Sequence, residues 1–296
     1  MYAITGITGH VGGATARELL AHGAPVRALV RDAAKGTSWA KRGAEVAVVD
    51  LTDRTTLTDA VTGADGWFVM LPFIPGATDA DSQRRLIDSI AGAARDSGVP
   101  HVVMLSSVGA HLPSGTGPIR WLHLLENELR STGTVLSAIR SAHFQEKFED
   151  VLDTVRNVGI YPNFGSSADV ATPMIATRDI GAVAAALLLE GPTHSEVIDL
   201  DGPAYTERQV AEKLAAALGT TVDVVNVPRQ EWVSTLEQAG VPRDFAEQVA
   251  ELHAAGEDGL LRPAGDRVHQ CTTEIDETIK HALAPLANDH EQLAGS

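Results

Sequence analysis

Residues Thr5 to Gly13 read "TGITGHVGG", four glycines in nine positions, and their setting decides the fold. Just before them "YAIT" (2–5) is a short apolar strand, and just after them "VGGATARELLAHG" (11–23) has a helical period closed by Gly23. Gly6, Gly9 and Gly12 therefore fall at a strand-to-helix junction, where free backbone amides at the positive end of a helix can hold a diphosphate. Gly6 permits the sharp turn, Gly9 lets phosphates approach the main chain, and Gly12 lets the helix press on the strand. Thr8, His10 and Val11 complete the loop and are read as contacts of the same group. The spacing GxxGxxG is one residue wider than the most familiar form. A plain tight turn would also use glycine; the place of this loop, after the first strand of an alternating series, is what points to a dinucleotide.

That series runs outward from the loop. Strands are expected at "VRALV" (26–30), "EVAVVD" (45–50), "GWFVML" (66–71), "HVVMLSS" (101–107) and "TVLSAIR" (134–140). Helices are expected between them, around "SWAKRG" (38–43), "TTLTDAVTG" (55–63), "ADSQRRLIDSIAGAARDSG" (80–98) and "WLHLLENELRSTG" (121–133). Six strands alternating with helices make an α/β fold, a doubly wound parallel (Rossmann) sheet with its core in residues 1–145 and a returning strand near 196–201. Residues 146–195 and 202–285 read as a smaller, mainly helical lobe for the substrate, and 286–296 as a frayed tail. In the lobe, "HFQEKFEDVLDTVRN" (143–157) reads as helical, and "TERQVAEKLAAALGT" (206–220) opens with the capping box Thr206 to Gln209.

Composition narrows the function. The chain has 296 residues, 44% of them hydrophobic, and no apolar run long enough for a membrane span. Its N-terminus has no basic segment followed by an apolar stretch and a cleavage site, so a cytoplasmic protein is expected. Cys271 is the only cysteine, which excludes an internal disulfide and a CxxC zinc site. With 23 basic against 39 acidic residues, a net charge of -16, the chain should repel polyanions, so no nucleic-acid partner is expected. The expected partner is a small molecule; the sequence names no oligomeric state.

The end of the second strand bears on the cofactor. NAD enzymes place an acidic residue there to bind the ribose hydroxyls. Here Val30 holds that position, Arg31 would face a 2'-phosphate and Lys35 would assist, so NADP(H) is preferred. A shift of one residue would put Asp32 at the ribose instead, which keeps NAD(H) open; a solvated Arg31–Asp32 pair with no ligand would look the same.

"TGITGHVG", the "LVRD" that ends the second strand, "GAEVAVVDLTD", "HVVMLSSVGA" and "ATRDIGAVAAALL" resemble, in this order, the NmrA-like group of atypical short-chain dehydrogenase/reductases, which includes bacterial quinone reductases. The resemblance runs from Met1 to about residue 285. It implies that Asp50 and Leu51 border the adenine, that Leu71, Pro72 and Phe73 flank the cofactor ribose and nicotinamide, and that Phe144 forms an apolar wall over the nicotinamide as part of the substrate site. Read from the residues alone, Asp50 is a strand-end carboxylate and Phe144 a core aromatic.

The usual proton relay of the wider superfamily, a Tyr with a Lys four residues on, is absent. Tyr2, Tyr161 and Tyr205 are followed at the fourth place by Gly6, Gly165 and Gln209, and aligning "LLENELRSTG" on the family puts Pro118 and Leu122 where the pair would stand. Substitute donors are Ser106 and Ser107 at the end of the fifth strand, His123 before Glu126, and His143 after the sixth strand. Of these, Ser107, His123 and His143 are the catalytic candidates, Ser106 a cofactor contact, and Ser107 also a substrate contact. In a helix His143 and Lys147 would share a face. No GxSxG, HExxH or P-loop occurs, so no metal is expected.

The expected activity is NADPH-dependent reduction of a quinone, enone or related carbonyl compound, driven by holding hydride donor and acceptor together. The alternative is a non-catalytic redox sensor of the NmrA type; a cofactor-retaining isomerase is a third class for which no residue speaks. Residues 72–83 and 108–121 are expected to form movable walls of the pocket.

Overall fold

The structure, a computed structural model, describes residues 1–74 and 76–294, with side chains described as far as residue 284. In chain order the first elements are β1 (Tyr2–Thr5), α1 (His10–Ala21), β2 (Val26–Val30), α2 (Ala33–Ala40), β3 (Glu45–Val48), α3 (Arg54–Val61), β4 (Gly66–Val69), α4 (Ala80–Ser97), β5 (His101–Ser107), α5 (Ile119–Arg130) and β6 (Val135–Ser141). There follow β7 (His143–Phe144), a 3-10 helix (Gln145–Val151), α6 (Leu152–Val158), β8 (Ile160–Asn163), β9 (Thr172–Ile175), α7 (Thr177–Glu190), β10 (Glu196–Asp201) and β11 (Ala204–Tyr205). The chain ends with α8 (Glu207–Leu218), β12 (Asp223–Asn226), α9 (Trp232–Gln238), α10 (Arg243–Glu257), β13 (Arg267–Gln270) and α11 (Ile275–Ala294).

Eight strands form one sheet in the order β13-β10-β6-β5-β4-β1-β2-β3, and every pairing in it is parallel. The alternation of strand side chains produces its two cores. Ala3, Trp67, Val69, Val102 and Met104 join Leu57, Leu86, Ile90, Leu125 and Leu129 of α3, α4 and α5 on one face. Ile4, Phe68 and Val103 join Val11, Leu19, Trp39, Ile180 and Leu187 of α1, α2 and α7 on the other. A third core, with Phe148, Tyr161, Met174, Tyr205, Leu214 and Ile279, belongs to the lobe.

Several elements depart from the sequence reading. First, α2 starts five residues earlier than expected, because Asp32 accepts the Ala34 amide (2.9 Å) and caps a helix that begins at Ala33. Second, residues 143–157 are not one helix. His143 and Phe144 pair with Met174 and Ile175 as strand β7, and a 3-10 turn follows. His143 and Lys147 therefore share no helix face. Third, the sheet has an eighth strand, β13; its residues "RVHQ" are all exposed and contain one apolar side chain, so no period betrays them. The returning strand at 196–201 is β10, beside β6. The segment 146–195, read as lobe, sends α7 into the core layer, where Gly181 lies against Ala14 and Thr15 of α1. The backbone of α11 runs helical through most of the segment read as a frayed tail, whose last two residues lie outside the described residues.

Candidate active site

The glycine loop is built as its residue types require. Gly6 has φ 67°, a left-handed conformation that glycine adopts without penalty. The Gly9 amide donates to the Gly6 carbonyl (2.9 Å), closing the turn, and Gly9 then starts α1 with no side-chain cap. A Cβ at Gly12 would lie 2.4 Å from the Gly6 carbonyl oxygen and 2.9 Å from that of Thr5, so the helix rests directly on the strand end. At Gly9 a Cβ would meet nothing closer than 3.4 Å. The arrangement leaves the first amides of α1 uncapped beside a glycine with open space in front of it, the cradle a diphosphate requires. Thr8 and His10 are exposed on this loop, whereas Val11 turns its side chain into the core. His10 also reaches Glu149 of the 3-10 helix (3.3 Å), linking loop and lobe.

Beyond β2, Arg31 and Lys35 are exposed and make no ion pair among the described residues. Asp32 is occupied at the start of α2. Asp50 accepts both the amide and the hydroxyl of Thr52 (2.9 and 2.8 Å), which together with the nearby Arg31 guanidinium hold its carboxyl below the usual carboxylate range. Leu51 next to it is buried. Leu71, Pro72 and Phe73 line an apolar cavity of about 150 Å³ with Trp121 and Leu122 of α5 and Phe245 of α10. The Phe73 and Phe245 rings lie 4.2 Å apart between centroids.

The proton-donor candidates separate. The Ser106 hydroxyl donates to Glu126 (2.6 Å), whose carboxylate also receives Arg140 (3.0 and 2.7 Å); all three are buried, so this serine belongs to a closed ionic cluster. Ser107 is half-buried and, among the described residues, its hydroxyl donates only to the neighbouring Val108 carbonyl (3.0 Å). His123 has both ring nitrogens engaged, with the Ala110 carbonyl (2.9 Å) and the Asn127 amide (3.0 Å), which fixes it as a bridge between α5 and the loop before it. His143 differs from these. It stands just past the end of β6, exposed to solvent, and has no hydrogen bond from its ring among the described residues. Burial, then the charge of Lys147, push its imidazole down to about 4, against the opposing pull of Asp150. Phe144, half-buried, follows it.

The tertiary structure brings to the loops after β4 and β5 a helix that the sequence left in the lobe without a role. Phe245, Gln248 and His253 stand on α10; Gln248 donates to the Thr78 carbonyl (3.1 Å) and accepts the Trp121 indole (3.1 Å). A Cβ at Gly117 would lie 2.0 Å from the Gln248 carbonyl oxygen, so the two loops expected as pocket walls meet α10 in direct contact. The signal in the sequence was the helical period of 243–257; what it faced was not written there.

Comparison with known proteins accords with this geometry. The NmrA-like family profile matches residues 2–287. The chain belongs to the NmrA-like family. Among NmrA-like relatives it is 29% identical over all of both chains to the NAD(P)H azoreductase of Xenophilus azovorans. It is 25% identical to quinone oxidoreductase 2 of Escherichia coli strain K12, over 95% of this chain and 98% of that one. The crystal structure of Citrobacter sp. triphenylmethane reductase complexed with NADP(H) superposes with a TM-score of 0.79 at 25% identity, over 96% of this chain and 100% of that one. The chain thus stands with the NAD(P)H-dependent oxidoreductases of the NmrA-like family.

Proposed function

We propose that this protein is an NADPH-preferring oxidoreductase that delivers hydride to a quinone, enone or related planar carbonyl compound in the cleft between the Rossmann core and α10. One observation carries the cofactor choice: the Asp32 carboxylate, the group that would hold free ribose hydroxyls, is engaged by the first turn of α2, while the exposed Arg31, with only the field of Asp50 beside it, forms no ion pair among the described residues. NADPH supplies the hydride. The uncapped amides of α1 hold its diphosphate, Arg31 and Lys35 take the 2'-phosphate, Asp50 and Leu51 border the adenine, and Leu71 to Phe73 flank the nicotinamide ribose. With no Tyr and Lys relay, rate enhancement comes from holding donor and acceptor in contact and excluding water, which suits acceptors that take hydride readily.

Loss of absorbance at 340 nm with NADPH and a panel of quinones and enones tests this reading. Turnover with at least one acceptor is expected. Arg31→Ala should raise KM for NADPH by about tenfold or more, in line with the loss of one charge-assisted phosphate contact, and leave KM for NADH unchanged. Equal effects on both cofactors would overturn the preference, and no turnover with any acceptor would overturn the activity.

A further inference from the structure

The loop that leaves β4 stands against the glycine loop: a Cβ at Gly6 would lie 3.0 Å from the Met70 side chain. The sheet order also reverses at this point, β1 being paired with β2 on one side and with β4 on the other. Open α/β sheets hold their ligands in such a crevice, outside the strand ends. From Met70 the chain runs directly into Leu71, Pro72 and Phe73, which with Trp121, Leu122 and Phe245 line the apolar cavity of about 150 Å³. Its aromatic walls come from three separate elements. Phe73 of the loop and Phe245 of α10 are inclined by 35° at 4.2 Å between centroids. Trp121 of α5 is fixed by its indole bond to Gln248 (3.1 Å) and by the Arg120 guanidinium, 4.8 Å from the ring centroid. Phe73 is 48% exposed, so this wall is not yet covered. The polar side chains of the lining are already taken. The Thr78 hydroxyl donates to Asp244, the Gln83 amide to the Ala77 carbonyl (2.9 Å), and the Gln248 amide to the carbonyls of Thr78 and Asp244 (3.1 and 3.2 Å). What the cavity offers a ligand is therefore apolar contact and aromatic faces. An apolar cavity of about this volume holds one benzene-sized ring.

We propose that this cavity is a subsite for the second, unreactive ring of a fused-ring acceptor, so that the protein selects naphthoquinone-type acceptors over single-ring ones. The inference rests on the oxidoreductase reading and names the acceptor within it. In that reading Leu71 to Phe73 flank the nicotinamide ribose. With the carbonyl-bearing ring at the nicotinamide, the fused ring continues along the same loop, against Phe73, Trp121 and Phe245. Its burial removes apolar surface from water and adds ring-to-ring contact that a single-ring acceptor cannot make. Binding of this kind, remote from the reacting atoms, lowers KM for the acceptor and leaves kcat little changed.

The test uses the full chain, NADPH and two acceptors, 1,4-naphthoquinone and 1,4-benzoquinone. The ratio of their kcat/KM values is compared between wild type and variant, so that the intrinsic reactivity of each quinone cancels. Leu122→Trp fills the cavity, and Phe245→Ala removes one of its walls. Each should lower the naphthoquinone-to-benzoquinone ratio at least about tenfold, through KM for naphthoquinone, since even one methylene in an apolar pocket is worth about tenfold or more. A purely structural role for these residues would slow both acceptors alike; an unchanged ratio in either variant overturns the proposal. Proton NMR of the indole N–H groups gives a readout independent of turnover. With NADP+ bound, so that no hydride can pass, 1,4-naphthoquinone should shift the Trp121 signal and leave that of Trp39, packed on the other face of the sheet, in place. A Trp121 signal that does not move overturns the proposal as well. If the wild type consumes no NADPH with any acceptor, the oxidoreductase reading falls, and the Trp121 shift still decides whether the cavity binds the ring.

Discussion

At Gly9 and Gly12 the same substitution has different consequences, because the two glycines serve different needs. A Cβ at Gly12 would sit 2.4 Å from a backbone oxygen that no rotamer change can move, so Gly12→Ala has to push α1 off the strand. A cost at or above the usual overpacking range of about 1–3 kcal/mol is expected, read as a fall in thermal midpoint with or without ligand. Gly9→Ala meets its nearest atom at 3.4 Å and keeps an ordinary φ of -94°. It should cost only about 1 kcal/mol as a poorer N-cap, yet weaken NADPH binding about tenfold by calorimetry, since the new methyl group stands where the diphosphate has to approach. Intact binding by folded Gly9→Ala would place the diphosphate elsewhere. The sequence announced these glycines by spacing alone. It could not announce that Ser106 ends in a salt-bridged cluster, because its partners Glu126 and Arg140 come from α5 and β6.

Two helical glycines show the same logic at the level of elements. Gly181 of α7 faces α1, where a Cβ would lie 2.4 Å from that of Ala14 and 2.8 Å from the Thr15 amide nitrogen. The "ATRDIGAVAAALL" segment, legible as a motif, is thus a packing seam that lets two helices touch backbone to backbone. Its threonine and aspartate tie the other side of the start of α7 to the lobe: Thr177 is held by Glu146 of the 3-10 helix (3.0 Å to the amide, 2.6 Å to the hydroxyl), and Asp179 holds Thr273 just before α11 (2.6 Å). Gly181→Ala should destabilise by about 1–3 kcal/mol in urea titration. Gly256 of α10 has open space, its nearest neighbour being Leu261 at 3.7 Å, so Gly256→Ala should stabilise by up to about 1 kcal/mol through helix propensity. Opposite signs from one substitution type would show that packing, not propensity, sets the fate of Gly181. Element boundaries followed the same division. Where a cap was local, as with Thr206 and Gln209 opening α8, the reading and the structure agree; where strand pairing intervened, as at His143–Phe144, periodicity named the wrong element.

For the whole molecule, acid response follows from a buried histidine. His101 is 3% exposed in the middle of the sheet, with Nε2 bonded to Ser137 (3.0 Å) and Nδ1 without a partner. Burial pushes it down to about 4, with Glu196 opposing. The unfolded chain protonates this ring near pH 6.5 and the folded one only near 4, so the unfolded state binds the extra proton between those values and stability falls as pH drops through that window. At pH 5 the loss is about 2 kcal/mol relative to pH 7. Denaturant titrations at pH 7 and pH 5 should show a loss at least this large in the wild type, to which His143 and His253, also pushed down to about 4, add their own share, and about 2 kcal/mol less of it in His101→Gln; equal pH dependence in both would remove His101 as a cause.

The sequence by itself determined the parallel sheet, its first six strands and the glycine loop, because these depend on short-range facts: strand and helix periods, caps, and the steric freedom of glycine. The partnership between cleft and lobe was decided only by the tertiary structure. Trp121 and Gln248, which hydrogen-bond to each other, are 127 positions apart, and Asp32 could be read as a ribose ligand or as half of a solvated pair with Arg31 until it was seen to cap α2 at Ala33. A side chain's chemistry depends on what else competes for it and how much water reaches it. Both are properties of the packed chain, which bring together residues that no local pattern connects.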